Sequence, residues 1–160
     1  MAKPIVALIG RPNVGKSTIL SMVTNAKPKI ANYHFTTLDP YVGIVDLEGT
    51  NGFALADIPG LIEGAADGAG LGHDFLRHIS RTKVLLHILS LADVDKDEPL
   101  AKYDQIRKEL ESYDASLANR PEVVALNKID LPDKEEELEA IKKAAAERGL
   151  KLHLVSCYTR

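Results

Sequence analysis

The stretch that decides the fold is Pro4-Ile5-Val6-Ala7-Leu8-Ile9, followed at once by Gly10-Arg11-Pro12-Asn13-Val14-Gly15-Lys16-Ser17. The first six residues are an apolar run rich in Ile and Val, which reads as a buried strand. The next eight match G-x-x-x-x-G-K-[ST] at every fixed position. Ile19, Leu20 and Val23 then recur at helical spacing. In a strand–glycine turn–helix unit, the glycines let the backbone curl until successive N–H groups point into one cavity. That cavity and the helix start attract phosphate oxygens. Lys16 can reach the β- and γ-phosphates of a nucleotide, and Ser17 can give its hydroxyl to Mg²⁺, with Thr18 beside them. Gly10 and Gly15 do not make the G-x-G-x-x-G dinucleotide fingerprint. Gly68, Gly70 and Gly72 do not rescue it, because no strand precedes them.

Working outward, strands are expected at 41–47, 53–57, 84–89, 122–126 and 151–155. Gly49, Asn51 and Gly52 suggest a hairpin between the first two. Helices are expected at 73–81, 99–113 and 133–148. Leu100, Tyr103, Ile106, Leu110 and Tyr113 mark the buried face of the second, and Leu138, Ile141 and Ala145 that of the third. Residues 25–40 lack clean periodicity and read as a long functional loop. Gly60, Gly64, Gly68, Gly70 and Gly72 mark a second stretch that can change shape cheaply. Strands alternating with helices predict a three-layer α/β domain with a mostly parallel sheet covered on both faces. The sequence reaches Arg160 directly after the last strand, so one covering helix is expected beyond it, and residues 1–160 are expected to be one domain of a longer chain.

One domain suits 160 residues. Cys157 is the only cysteine, which excludes an intrachain disulfide and a thiolate metal cluster and favours a reducing, cytoplasmic setting. A net charge of −3 argues against attraction to nucleic acid by bulk charge. Arg77, His78, Arg81 and Lys83 read as solvated surface. No apolar run approaches the length of a membrane span. His87 lies within an expected buried strand and reads as a satisfied core histidine. His34, in the loop at 25–40, is the one histidine to consider near the expected phosphates, and a role there is the weaker reading.

Two further segments complete a nucleotide site. Asp57-Ile58-Pro59-Gly60 closes an apolar run. A carboxylate there can hold Mg²⁺ directly or through water, and the Gly60 N–H can meet the γ-phosphate. Asn127-Lys128-Ile129-Asp130 closes the strand at 122–126. The Asp130 carboxylate can accept from guanine N1–H and its exocyclic amine, a donor pair that adenine lacks. The Lys128 stem can cover the base, Asn127 can tie this loop to the phosphate loop, and backbone at Ser156-Cys157-Tyr158 can meet the guanine carbonyl. An ATP-specific site is the weaker reading.

In this order the segments resemble a translation-factor-class GTPase, and more closely the Obg family. The stretches AKPKIANYHFTTLDPYVGIV at 26–45 and ADIPGLIEGAADGAGLGHDFLRHISRT at 56–82 carry the resemblance, which runs from about residue 5 to the end. It implies a Ras-like P-loop NTPase domain with one antiparallel strand. It puts Phe35, Thr36, Thr37, Leu38 and Asp39 in a first switch, with Thr37 on Mg²⁺ beside Ser17 and Asp57, and Asp57 to Gly60 in a second. Lys16, Thr37 and Gly60 are the implied catalytic set. GTP and GDP, the large ribosomal subunit or its precursor, and guanosine tetraphosphate are the implied partners of a monomeric protein. Arg11, His34 and Cys157 depart from the family pattern.

Leu61 follows Gly60 where a glutamine could orient water, and leucine cannot do so by hydrogen bonding. Two outcomes stay open: slow GTP hydrolysis helped by a partner or a cation, and a nucleotide-gated binding module with negligible turnover. Related GTPases with asparagine at the position of Asn13 use K⁺. Asn13 is therefore either a K⁺ ligand or a brace within its own loop.

Overall fold

In a computed structural model of the chain, residues 4–10, 14–23, 29–30, 41–45, 49, 52–57, 82–113 and 115–156 are described. The strands are β1 (Ile5–Ile9), β2 (Lys29–Ile30), β3 (Tyr41–Val45), β4 (Phe53–Asp57), β5 (Thr82–Ser90), β6 (Glu122–Asn127) and β7 (Leu152–Leu154). The helices are α1 (Lys16–Val23), α2 (Ala101–Tyr113), the four-residue α3 (Ala115–Ala118) and α4 (Glu135–Glu147). The strands form one sheet in the order β2-β3-β4-β1-β5-β6-β7. β3 runs antiparallel to both its neighbours, and the pairings from β4 to β7 are all parallel. The expected architecture, including the single reversed strand, is what the chain adopts.

β1 sits between β4 and β5, so the chain's crossovers diverge on either side of it. In open α/β sheets the crevice beyond the carboxyl ends of the strands at such a point receives ligands. Here that crevice belongs to Gly10. The strand behind it is anchored firmly, since Ala7, Leu8 and Ile9 have no exposed surface.

Alternation along the strands divides the core. Leu8, Leu55, Ile88 and Ala125 meet Val14 and Leu20 of the α1 side. Leu89, Val124 and Leu126 meet Leu100 and Ile141 on the opposite face, beneath α2 and α4. The expected helix faces are observed in Leu100, Ile106, Leu110, Ile141 and Ala145, all buried. Three acidic residues, Glu135, Glu136 and Glu137, open α4 and complement its dipole. Gly149 ends it with φ 72°, while the Leu150 amide returns to the Ala145 carbonyl at 2.8 Å.

Some expectations need correction. Lys29–Ile30, read as part of a loop, pairs with Tyr41–Val42 as an edge strand. Two residues are too few to show a period, and their pairing depends on the open edge of β3. β5 runs to nine residues, beyond the expected 84–89. The turn of helix at α3 and a 3-10 turn at Leu91–Asp93, capped by Ser90 Oγ, carry no periodic signal. The hairpin joining β3 and β4 is present, with Gly49 and Gly52 at positive φ. The helix expected at 73–81, the glycine stretch at 58–72, and Arg77, His78 and Arg81 lie outside the described residues. Lys83 is exposed, as expected of a solvated cation.

Candidate functional site

The site begins where β1 gives way to α1. Gly10 takes φ 156°, and a Cβ on it would stand 2.6 Å from the Ile88 carbonyl oxygen of β5. Any side chain there must push the phosphate loop off the sheet. Gly15 takes φ 102°, and its missing Cβ leaves room for the side-chain amide of Asn127. The Ile19 amide bonds the Gly15 carbonyl at 2.9 Å, so the helical ladder starts within the motif. Lys16 and Ser17 open α1, and the first N–H groups of a helix have no partners within it.

Asn127 closes β6 opposite Ser90 of β5 and is nearly fully buried. Its Nδ2 donates to the Val14 carbonyl at 2.9 Å. The expected tie between the two loops is therefore present. It explains the glycine at 15, because a bulkier residue would occupy the volume of the amide.

After Asn127 the backbone turns sharply. Lys128 adopts a left-handed φ of 66°, uncommon for a residue with a Cβ. The Leu131 amide bonds the Lys128 carbonyl at 3.1 Å and closes the turn. β7 then holds this turn from the side: the Val155 amide donates to the Leu126 carbonyl at 2.8 Å, and the Ile129 amide to the Val155 carbonyl at 3.4 Å. Asp130 reaches solvent with Oδ1 accepting from Ser156 Oγ at 2.6 Å. A carboxylate fixed in this way can meet a flat pair of N–H donors without first losing rotamer freedom. The expectation from the sequence was limited to backbone contacts to a base at Ser156. It missed the hydroxyl that orients Asp130 and the backbone latch from Val155, which no side-chain pattern encodes.

The elements that carry the expected divalent-cation donors are described in part. Asp57 ends β4, with Leu8 as its partner on β1, two residues before Gly10. Ser17 lies in the first turn of α1. A hydroxyl and a carboxylate at the ends of adjacent elements are hard oxygen donors and fit Mg²⁺. Among the described residues no group of three or more His, Cys, Asp and Glu could hold a metal. Arg11, Pro12, Asn13, His34, Phe35, Thr36, Thr37, Leu38, Asp39, Ile58, Pro59, Gly60, Leu61, Cys157 and Tyr158 lie outside the described residues.

A second polar cluster lies at the opposite end of β6. Glu122 accepts from Tyr103 Oη at 2.7 Å, pairs with His87 Nδ1 at 3.2 Å and receives Arg107 Nη1 at 3.4 Å. Burial pushes the Glu122 carboxyl up, but these donors outweigh it and leave the group below its ordinary value. Burial, and then the hydrogen bond to Glu122, push the Tyr103 hydroxyl up. The His87 ring stacks on Tyr103 with centroids 4.9 Å apart. His87 is fully buried as expected, yet only half satisfied, since Nε2 has no hydrogen-bond partner among the described residues. The strand period placed it in the core; it could not show which ring nitrogen would find a partner.

A profile for the 50S ribosome-binding GTPase family matches residues 5–128. The chain is 54% identical over 154 residues to a GTPase Obg of Alkaliphilus oremlandii, covering 96% of this chain and 36% of that protein. It is 54% identical over 155 residues to a GTPase Obg of Symbiobacterium thermophilum, covering 97% and 36%. The chain thus spans about a third of the length of the curated relatives it matches. Among solved structures, a point variant of Aquifex aeolicus Era bound to GDP and AlF4− superposes with a TM-score of 0.66 at 23% identity, covering 98% of this chain and 52% of that one. The G domain of T. maritima FeoB superposes with a TM-score of 0.64 at 21% identity, covering 98% and 89%. At such identities the likeness establishes the fold. No described helix is long and apolar enough to cross a membrane. A complete phosphate-loop motif at the switch point of the sheet, a base-type loop tied to it through Asn127 and Val14, and the profile match over most of the chain lead to one assignment: the chain belongs to the 50S ribosome-binding GTPase family, with the Obg GTPases among its similar relatives.

Proposed function

We propose that this chain is the G domain of a longer polypeptide, binding GTP and GDP with Mg²⁺ and hydrolysing GTP slowly as a switch on the large ribosomal subunit or its precursor. The observation that carries this reading is the Asn127–Val14 bond, which ties the phosphate-side loop to the base-side loop. The family match supports the ribosomal setting, and the greater length of the Obg relatives supports the place of this chain within a larger one; the reading takes that protein as a cytoplasmic monomer.

In this reading backbone N–H groups within residues 10–17, Pro12 excepted, bind the phosphates and Lys16 neutralises the transferring group. Ser17, Thr37 and Asp57 would hold Mg²⁺, which when bound would neutralise phosphate charge. The Gly60 amide meets the γ-phosphate, and Asp130, steadied by Ser156, reads guanine. Guanosine tetraphosphate fits the same base and diphosphate contacts. Attack by water is in line with the leaving oxygen, and the residues named supply charge stabilisation far better than water positioning. Leu61 favours a second reading, a nucleotide-gated binding module with negligible turnover. Single-turnover GTP hydrolysis in Mg²⁺, with Na⁺ or with K⁺, separates the two. Slow phosphate release in either salt supports the GTPase switch. No release in both, with GDP still bound, supports the module. Stimulation by K⁺ assigns Asn13 to the cation.

A further inference from the structure

The small net charge hides a polarity along the strands. Residues 91–98 and 128–137 lie beyond the carboxyl ends of β5 and β6, and hold four and five acidic residues against one and two lysines. The opposite edge of the sheet is cationic. Lys83, Arg120 and Lys151 stand at the amino ends of β5, β6 and β7, which are neighbours in the sheet, and all three are exposed. No carboxylate accompanies them at 82–83, 119–121 or 149–151. Among the described residues none of the three makes an ion pair.

The backbone sets two of these cations beside each other. Ile5 and Val6 of β1 pair with Thr82 and Val84, so Lys83 is the extra residue of a bulge. A bulge disrupts the ladder and re-aims a side chain. Leu85 pairs with Glu122, and its amide bonds the Pro121 carbonyl at 2.8 Å. Lys83 and Arg120 therefore each precede one register position by two residues, on strands about 4.8 Å apart. Like charges so placed repel. Glu122 does not offset them, because its carboxylate already serves His87, Tyr103 and Arg107. A row of cations without counter-charge is relieved by a partner that brings several anionic groups in a row.

We propose that Lys83, Arg120 and Lys151 form a docking edge for the phosphodiester backbone of RNA. This placement rests on the ribosomal setting proposed above and adds which end of the domain meets the RNA, the amino ends of the strands and not the crevice. The acidic segments at the other end repel the same backbone, so the charge distribution orients the domain as well as attracting it. Contacts to phosphates carry no base preference and weaken with salt through counterion release.

The test measures binding of the full-length polypeptide, with a non-hydrolysable GTP analogue, to purified large ribosomal subunits across a series of salt concentrations. Lys83→Gln/Arg120→Gln/Lys151→Gln should bind at least tenfold more weakly at about 0.1 M salt, and the slope of log K against log salt should shrink by about one for each contact removed. The charge-preserving Lys83→Arg/Arg120→Lys/Lys151→Arg should bind as the parent does. Lys96→Gln/Lys142→Gln/Lys143→Gln removes as much charge from the exposed loop and α4 and should leave affinity and slope unchanged. GDP affinity should be that of the parent in all three variants. Parent-like affinity and slope in the first variant would overturn the docking edge and leave the ribosomal reading standing. An equal loss in the third would assign the effect to bulk charge and overturn the edge. Weaker binding with an unchanged slope would assign the edge to a ribosomal protein and overturn the RNA partner. No binding by the parent would overturn the ribosomal reading and the edge together.

Discussion

Asn127 Nδ2 donates to the carbonyl of Val14 at 2.9 Å, joining two loops 113 residues apart in sequence. The bond is buried, so its loss leaves the Val14 carbonyl short of a donor. Asn127→Ala should therefore cost about 1–3 kcal/mol of folding stability. On the proposed reading it should also weaken GDP binding about tenfold or more, since both loops face the nucleotide. Gly15→Ala should do comparable harm from the other side, because its methyl group meets the same amide. Urea melts with GDP titration check both, and wild-type behaviour of Gly15→Ala would contradict the packing described.

The Ser156–Asp130 bond predicts a graded series. Ser156→Ala removes one exposed hydrogen bond worth about 0.5–1.5 kcal/mol, so GDP affinity should fall by roughly tenfold at most. Asp130→Asn should turn preference toward xanthosine diphosphate, because the hydrogen-bond polarity at the base edge inverts. Competition against GDP reads both. Xanthosine diphosphate binding no better to Asp130→Asn than to the parent would count against Asp130 as the base reader.

Glu122 predicts an acid-side transition. Its carboxyl is held below the ordinary value of 4.5 by His87, Tyr103 and Arg107 in the folded chain. A depressed folded value contributes stability that is present above pH 4.5 and is lost as pH falls through the lower folded value. Glu122→Gln should be less stable at about pH 7, with the gap from wild type narrowing once the pH drops below 4.5. Thermal melts from about pH 3 to about pH 7 measure it, and a constant gap would refute the assignment.

Arg148 and Asp104 make the shortest ion pair described, 2.6 and 2.8 Å through two guanidinium nitrogens, yet both are about half exposed. Solvent screening dominates at such sites, so Arg148→Ala should cost at most about 1 kcal/mol. A clearly larger loss in a urea melt would show that the pair braces α2 against α4 more than its exposure implies.

Much of this architecture is legible in the residues. PIVALI and EVVAL are apolar almost throughout, and parallel central strands need that composition. Asn127 could be paired with the phosphate loop before the fold was seen, because a fixed motif supplied both ends. The two-residue β2 was not legible, since its pairing depends on a neighbour's open edge. The Val155 latch was hidden because backbone bonds leave no side-chain signature. The exposure of Val123 was equally hidden: its composition is that of a core residue, and only the packed sheet shows that nothing described lies over it.

The central claim is that residues 10–17 and Asn127 to Asp130 form one guanine-nucleotide site. Isothermal titration of the chain with GDP and with ADP in Mg²⁺ tests it directly. Saturable one-to-one binding of GDP, at least a hundredfold tighter than ADP, is the predicted result; equal affinities, or no binding of either, would contradict it.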